Sequence, residues 1–86
     1  MRTTADKLKK GVPAVVVEVK GSGALRRRLY EMGCTPGASI YFIRTAPFGD
    51  PLEFSLRDYR IAVRAEDAAT IVVEYDSKKW LQKQFV

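Results

Sequence analysis

Few side chains in this 86-residue sequence belong to the types that carry out acid–base or metal chemistry. Histidine, the most common general base and metal ligand, is absent, and Cys34 is the only cysteine. A single cysteine without histidine does not make an ordinary zinc site within one chain. Met32 belongs to a helical apolar stripe and Cys34 stands where a small apolar residue would serve, so both are expected in the core. The sequence therefore predicts no catalytic residue, no specific metal ligand and no enzyme, and it leaves open only weak transition-metal binding by carboxylates.

Motifs that bind phosphate groups are also missing. Gly21-Ser22-Gly23 precedes a helical segment, but the third glycine of a dinucleotide fingerprint would fall on Arg26. No Gly-Lys-Ser/Thr run occurs in the sequence. Glu66 and Asp67 are adjacent, and acidic side chains in the first turn of a helix stabilise its dipole. The sequence thus predicts neither a cofactor-binding residue nor a pair of catalytic carboxylates.

The formal net charge of +5 is the remaining feature that could recruit a ligand. It permits acidic proteins, nucleic acid or an anionic membrane surface as partners. Arg26, Arg27 and Arg28 point about 100° apart on a helix, so the three do not form one patch. A second arginine set lies on the outward side of one predicted hairpin, as on nucleic-acid-binding barrels: Arg57, Arg60 and Arg64. Interleaved acidic residues argue against nucleic acid: Glu53, Asp58, Glu66 and Asp67.

The elements that must position these residues are mostly strands, because apolar and polar residues alternate in four segments. These segments are 15–20, 52–57, 59–64 and 71–75. In the first of them, the apolar face consists of Val15, Val17 and Val19. Residues 39–45 are apolar on both faces, which predicts a central strand.

The register of one pair of strands can be predicted directly. A two-residue turn at Arg57-Asp58 gives every apolar residue an apolar partner: Leu56 with Tyr59, Phe54 with Ile61, and Leu52 with Val63. A tight hairpin favours a positive φ in its turn. Asp58 tolerates the left-handed region better than most residues.

One segment changes from a period of two to a helical period. Leu25, Leu29 and Met32 form a stripe at positions i, i+4 and i+7, with Ser22 as the predicted N-cap and Gly33 as the stop. Downstream, Thr35-Pro36-Gly37 predicts a type II turn. The longest predicted loop spans residues 46–51, and residues 65–69 predict a single helical turn before the last strand.

Five strands, one short helix and one helical turn predict a mainly β domain over residues 1–76, arranged as a small closed or nearly closed barrel. Residues 77–86 form a basic tail that contains Trp80. No segment approaches the ~20 apolar residues that a membrane span needs, and no signal peptide is visible. The lone cysteine fits a reducing, cytoplasmic compartment. An open edge of the barrel could pair or swap between copies, so a homo-oligomer also remains open.

Five motifs in order resemble those of the FeoA family, small cytoplasmic proteins of bacterial ferrous iron transport. They are Gly23-Ala24-Leu25-Arg26-Arg27-Arg28-Leu29, Met32-Gly33-Cys34-Thr35-Pro36-Gly37, Ala46-Pro47-Phe48-Gly49-Asp50-Pro51, Tyr59-Arg60-Ile61-Ala62-Val63-Arg64, and Glu66-Asp67-Ala68 with Ile71-Val72-Val73. The resemblance implies an SH3-like β-barrel with an inserted helix. It also implies a role beside FeoB, a membrane permease with a cytosolic GTPase domain, which would bring the protein to the inner membrane without inserting into it.

The predicted function is protein–protein contact with such a permease through two surfaces. The residues expected to bind the partner are Arg26, Arg27, Tyr30, Pro47, Phe48 and Asp50. Phe48 is the expected anchor, because an aromatic side chain at a loop tip has little structural reason to be there. Two alternatives remain. The first is a regulator that binds a transition metal directly. The second is a basic nucleic-acid-binding barrel, but the interleaved acidic residues argue against it, so no nucleic-acid partner is expected.

Overall fold

The computed structural model describes residues 1–76. The predicted basic tail at 77–86, with Trp80, lies outside the described residues and stays a prediction. The strands are β1 (Arg2–Thr4), β2 (Ala14–Val19), β3 (Ser39–Thr45), β4 (Leu52–Leu56), β5 (Tyr59–Val63) and β6 (Ile71–Tyr75). The helices are α1 (Gly23–Glu31) and α2 (Ala65–Ala68), and a 3-10 turn spans Ala5–Lys7.

The strands form one antiparallel sheet in the order β1-β6-β2-β3-β4-β5, which confirms a mainly β architecture with β3 in the interior. The sequence predicted five strands, and the structure adds a sixth, β1. This strand has three residues and pairs with β6 through Thr3 and Val73. Its sequence, Arg2-Thr3-Thr4, carries no apolar alternation, and pairing with β6 alone makes it a strand.

The hairpin of β4 and β5 has the predicted register. Its pairs are Leu56 with Tyr59, Ser55 with Arg60, Phe54 with Ile61, Glu53 with Ala62, and Leu52 with Val63. The expectation for the turn was wrong in one detail, because Arg57 and not Asp58 adopts the positive φ, at 59°. Contacts of the Arg57 side chain, described below, hold this residue in place.

The buried face of β2 differs from the prediction. Ala14, Val16 and Val19 are buried, whereas Val15 is 44% exposed and Val17 only half-buried. The pairing of β2 with β6 shifts between Val16 and Glu18, which marks a β-bulge. Because a bulge adds one residue to a strand, the inward-facing positions change from even to odd numbers along β2.

The core consists mostly of side chains from the strands, together with Leu29 of α1 and Ala68 of α2. Its largest fully buried side chains include Phe54, Leu29, Ile40, Leu56 and Ile71. Cys34 is fully buried and Met32 packs against the core, which confirms the expected packing role of both. Within the 76 described residues, no helix combines the length and apolar character required to cross a bilayer.

Candidate partner-binding surface

Helix α1 begins and ends as its sequence predicts. Ser22 occupies the N-cap position, and its carbonyl oxygen accepts the Arg26 N–H at 2.8 Å, although its hydroxyl makes no capping bond. At the other end, Gly33 has a φ of +95°. The Cys34 N–H then reaches back to the Leu29 carbonyl at 2.9 Å. A glycine in the left-handed region after the last turn is a common way to end a helix.

The segment after α1 forms the predicted type II turn. The Ala38 N–H donates to the Thr35 carbonyl at 3.0 Å, and Gly37 has a φ of +92°. This positive φ at the third position of the turn requires glycine or a similarly permissive residue. The turn leads directly into β3, so the end of α1 is fixed relative to the sheet.

The turn between β4 and β5 is bonded to the C-terminal end of α1. The Tyr59 hydroxyl donates to the Met32 carbonyl. The Arg57 guanidinium donates to the Gly33 carbonyl at 3.2 Å and to the Thr35 hydroxyl at 2.7 Å. We call these three hydrogen bonds the helix latch.

Arg57 is exposed, as the sequence predicted for it together with Arg60 and Arg64, but the helix latch gives it a structural role that the sequence did not indicate. The alternation of apolar and polar residues along the strands did not predict these contacts of Arg57, because a turn residue does not follow the strand period. The one available signal was the glycine after the helix. A Cβ at Gly33 would overlap the Tyr59 hydroxyl, so glycine is favoured at this position both by its φ and by this contact.

The exposed side of α1 carries three of the predicted partner-binding residues. Arg26, Arg27 and Tyr30 line one shallow depression of about 480 Å³, together with Gly23 and Glu31. Neither arginine forms an ion pair within residues 1–76, and Tyr30 is 40% exposed. We call this surface the arginine face.

Arg28, the third arginine of the run, has a different role. Its guanidinium lies 3.6 Å from the Asp67 carboxylate and so connects α1 to α2. This agrees with the expectation that the three arginines do not share one patch. Arg26 and Arg27 thus differ from Arg28, because neither forms an ion pair within residues 1–76.

The loop between β3 and β4 carries the other three predicted residues, Pro47, Phe48 and Asp50. Its base is closed by a hydrogen bond from the Ala46 N–H to the Pro51 carbonyl at 3.0 Å. A second bond runs from the Gly49 N–H to the Ala46 carbonyl at 2.9 Å. Phe48 sits at the tip and is 99% exposed. The loop therefore presents an aromatic ring that the fold does not use.

Asp50 has a structural contact that the sequence prediction did not assign to it. Its carboxylate accepts the N–H of Ala65, the first residue of α2, at 2.8 Å. The bond satisfies a backbone donor that the first turn of a helix leaves without a partner. Asp50 thus fixes the loop to α2. No hydrogen bond or ion pair within the described part of the chain joins this loop to the arginine face.

The buried thiol of Cys34 has a strongly perturbed pKa. Burial raises the pKa of its thiol to about 11, and the positive charge of Arg57 opposes that shift. The buried thiol is therefore protonated and unreactive at neutral pH. In residues 1–76, no three Asp, Glu or Cys side chains gather in a way that could hold a metal ion. Weak metal binding stays a prediction.

Comparison with known proteins identifies relatives over nearly the whole described chain. The model of the FeoA domain matches residues 3–75. A fusion of an Fe(2+) transport protein A with the Fe(2+) transporter FeoB, from Porphyromonas gingivalis, is 44% identical over 64 residues. The match covers 74% of this chain and 8% of that fusion protein.

Solved structures give the same family and fold. The solution structure of FeoA from Chlorobium tepidum is 34% identical, with a TM-score of 0.79 over 85% of this chain and 70% of that one. A zinc complex of FeoA from Stenotrophomonas maltophilia, described as a prokaryotic SH3 domain protein, is 30% identical. Its TM-score is 0.73, and the alignment covers 84% of this chain and 89% of that one.

Proposed function

The chain belongs to the FeoA family, and from that premise we propose that it is a non-catalytic accessory protein of ferrous iron transport. Its partner would be the cytosolic part of an FeoB-type GTPase permease. The observation that carries this proposal is the relative from Porphyromonas gingivalis, in which an FeoA segment and FeoB form one polypeptide. Two domains that are joined in one polypeptide in a relative are expected to contact each other as partners.

Phe48 is the strongest candidate for the anchor of that contact. Its ring is 99% exposed, while hydrogen bonds at the base of the loop and between Asp50 and Ala65 hold the backbone. A braced loop lowers the entropic cost of placing an aromatic side chain in a partner pocket. Aromatic residues are also strongly enriched among interface residues that dominate binding energy. Pro47 stiffens the backbone just before the anchor.

The arginine face would supply the polar part of the contact. Arg26 and Arg27 have no acidic partner of their own in the described chain, so an acidic surface on the permease would compensate both charges. Tyr30 between them offers apolar area with a polar tip. Because these charges are exposed, their main effect would be on orientation and on the association rate. The binding should therefore weaken as salt is raised.

A contact with the GTPase domain would place the protein in the cytoplasm, at the inner face of the membrane, and only through its partner. There it would modulate the assembly of the permease or its turnover of GTP. Regulation of this kind requires that the two nucleotide states bind the protein with different affinity, because equal affinity shifts no equilibrium.

The test is a calorimetric titration of the full chain against the cytosolic domain of an FeoB-type permease from the same genome. It is run once with a non-hydrolysable GTP analogue and once with GDP. We expect saturable binding with different affinities in the two states. Phe48→Ala should weaken binding at least about tenfold, and the double variant Arg26→Glu, Arg27→Glu should also weaken it and reduce its salt dependence.

Two matched controls separate these surfaces from general effects. Tyr41→Ala removes another exposed aromatic side chain, on β3, and should leave the affinity unchanged. Lys7→Glu alters an exposed charge in the 3-10 turn and should also have little effect. Absence of binding in both nucleotide states would reject the proposed partner. Equal losses from Phe48→Ala and Tyr41→Ala would reject the proposed site.

A further inference from the structure

Strand β5 forms one end of the sheet, and part of its backbone is unused. In the hairpin, Tyr59, Ile61 and Val63 face β4 with their N–H and C=O groups, because a two-residue turn makes the flanking pair a hydrogen-bonded one. The backbone groups of Arg60 and Ala62 consequently point away from the sheet. Within residues 1–76 they make no backbone hydrogen bond. Such an edge is a template for another strand.

The edge is also open to solvent. Arg60 and Ala62 are both exposed. A groove of about 440 Å³ separates this part of β5 from α1 and α2, with Leu25, Met32 and Ala62 among its lining residues. The helix latch connects the end of α1 to the start of β5, and the Arg28–Asp67 pair connects α1 to α2.

We propose that a second copy of this chain pairs with this edge, so that the two β5 strands form an antiparallel ladder about a twofold axis at Ile61. Arg60 then lies opposite the partner's Ala62, and the two residues exchange backbone hydrogen bonds through the groups that point outward in each copy. By symmetry the same exchange occurs a second time. The two sheets become one continuous sheet with isologous contacts.

The charges along the edge select this register among the alternatives. Arg64 continues β5 in an extended conformation and is exposed, as is Asp58 at the opposite end. With the axis at Ile61, Asp58 lies next to the partner's Arg64, so opposite charges meet at both ends. An axis at Arg60 would place the two copies of Arg60 opposite each other. An axis at Ala62 would place Arg60 opposite the partner's Arg64, and directly opposed like charges destabilise a sheet.

The shared ladder is short, so the association is expected to be weak and visible only at high protein concentration. The proposal does not depend on the proposed function, because it involves no permease. Sedimentation velocity of the full chain tests it, over protein concentrations from about 10 µM to about 1 mM at low salt. The average mass should rise from that of a monomer toward that of a dimer.

Substitutions at Ala62 test the edge itself. In the proposed dimer this position faces the partner's Arg60, so Ala62→Glu should tighten the dimer several-fold and Ala62→Lys should weaken it by a similar factor. Within the monomer Ala62 faces Glu53, which favours the Lys variant. If the Glu variant dimerises more tightly than the Lys variant, this difference therefore cannot come from the stability of the monomer, which the Lys variant favours. Ala62→Pro removes only an outward N–H and should abolish the dimer, with circular dichroism reporting whether the fold is kept.

A charge exchange tests the register. Arg64→Asp and Asp58→Arg should each weaken the dimer about tenfold at low salt, and the double variant should restore it, because the exchanged pair has the same complementarity. Lys20→Asp, a charge change of the same size outside β5, is the control and should have no effect. A monomer at every concentration would overturn the proposal, as would a dimer that responds equally to the Glu and Lys variants of Ala62. Failure of the double variant to restore the dimer would overturn the register.

Discussion

Each of the two connections at the ends of β4 has an aromatic side chain within it or directly after it, and the fold uses only one of these two side chains. On the β4–β5 side, Tyr59 donates its hydroxyl hydrogen bond to Met32 at the end of α1, and Arg57 adds two bonds beside it. On the β3–β4 side, the loop from Ala46 to Pro51 is braced by its own backbone, and Phe48 at its tip contacts solvent only.

The comparison shows that exposure alone does not identify a functional residue. Tyr59 is 46% exposed, and its hydroxyl still belongs to the helix latch. Tyr30 and Tyr41 are exposed to nearly the same degree, at 40% and 43%. What distinguishes Phe48 is that its loop is held by other residues, so its side chain is free for a partner. The hydrogen bonds that hold the surrounding backbone, and not the exposed fraction of the side chain, identify Phe48 as a candidate binding residue.

The largest expected effect follows from removing the glycine beneath the helix latch. Gly33→Ala places a side chain in the left-handed region and overlaps the Tyr59 hydroxyl. The strain of about 1–2 kcal/mol and the loss of one hydrogen bond worth about 1 kcal/mol should lower the free energy of unfolding by about 2–3 kcal/mol. Urea denaturation measures this change.

Gly23→Ala is the control for Gly33. Gly23 is the first residue of α1, and a Cβ there meets no atom within 4 Å. Alanine at this position should leave the stability unchanged or raise it by up to about 1 kcal/mol. A loss of stability as large as that of Gly33→Ala would contradict the helix latch as the cause.

The next effect depends on pH and comes from the thiol beside the helix latch. The pKa of Cys34 is about 11 in the folded chain, against an ordinary value of 9.0. Between pH 9 and pH 11 the unfolded thiol loses its proton first, so the free energy of unfolding falls as pH rises. The loss should be about 2 kcal/mol near pH 11 and absent below pH 8. The difference between the pH profiles of the natural chain and Cys34→Ala isolates this contribution from the other groups that titrate there.

A smaller effect is expected from Tyr59→Phe, which removes the hydroxyl and keeps the ring. Losing the hydrogen bond to the Met32 carbonyl should lower the free energy of unfolding by about 1 kcal/mol. Tyr41→Phe provides the matched control, because the Tyr41 hydroxyl makes no hydrogen bond within residues 1–76, and its change should be close to zero. Equal changes in the two variants would show that the helix latch contributes nothing to stability.

The smallest effect on stability is expected at the other connection. Phe48→Ala removes a side chain that makes no packing contact in the described fold, so its free energy of unfolding should stay within about 0.5 kcal/mol of the natural value. The same variant is expected to lose partner affinity. A drop in stability comparable to that of Tyr59→Phe would remove the distinction between the two connections.

Local patterns made much of this fold predictable. The β4–β5 register follows from strict alternation, because a slip of one residue would have faced apolar side chains to solvent. Helix α1 follows from the stripe of Leu25, Leu29 and Met32 between Ser22 and Gly33. In each case the deciding residues lie close together in the sequence.

Features that depend on distant residues were not predictable. Strand β1 forms because it pairs with the edge of β6, and the sequence Arg2-Thr3-Thr4 has no alternating pattern that would predict a strand. The bulge in β2 depends on its register with β6, so a run of three valines gave no means of choosing the buried face. For the candidate site, the sequence identified Phe48 from its loop, whereas the contact of Asp50 with Ala65 joins residues that are 15 positions apart.

The position of β6 has a consequence for how the chain folds during synthesis. This strand lies between β1 and β2 in the sheet, although it is the last strand along the described chain. Backbone hydrogen bonds also join Met1 and Tyr75, at 2.7 and 2.8 Å. While the ribosome makes residues 5–70, β1 has no strand to pair with and one edge of β2 stays open. The central hairpins contain only local contacts and are able to form early, whereas the pairing of β1 and β2 with β6 must wait for the end of the domain.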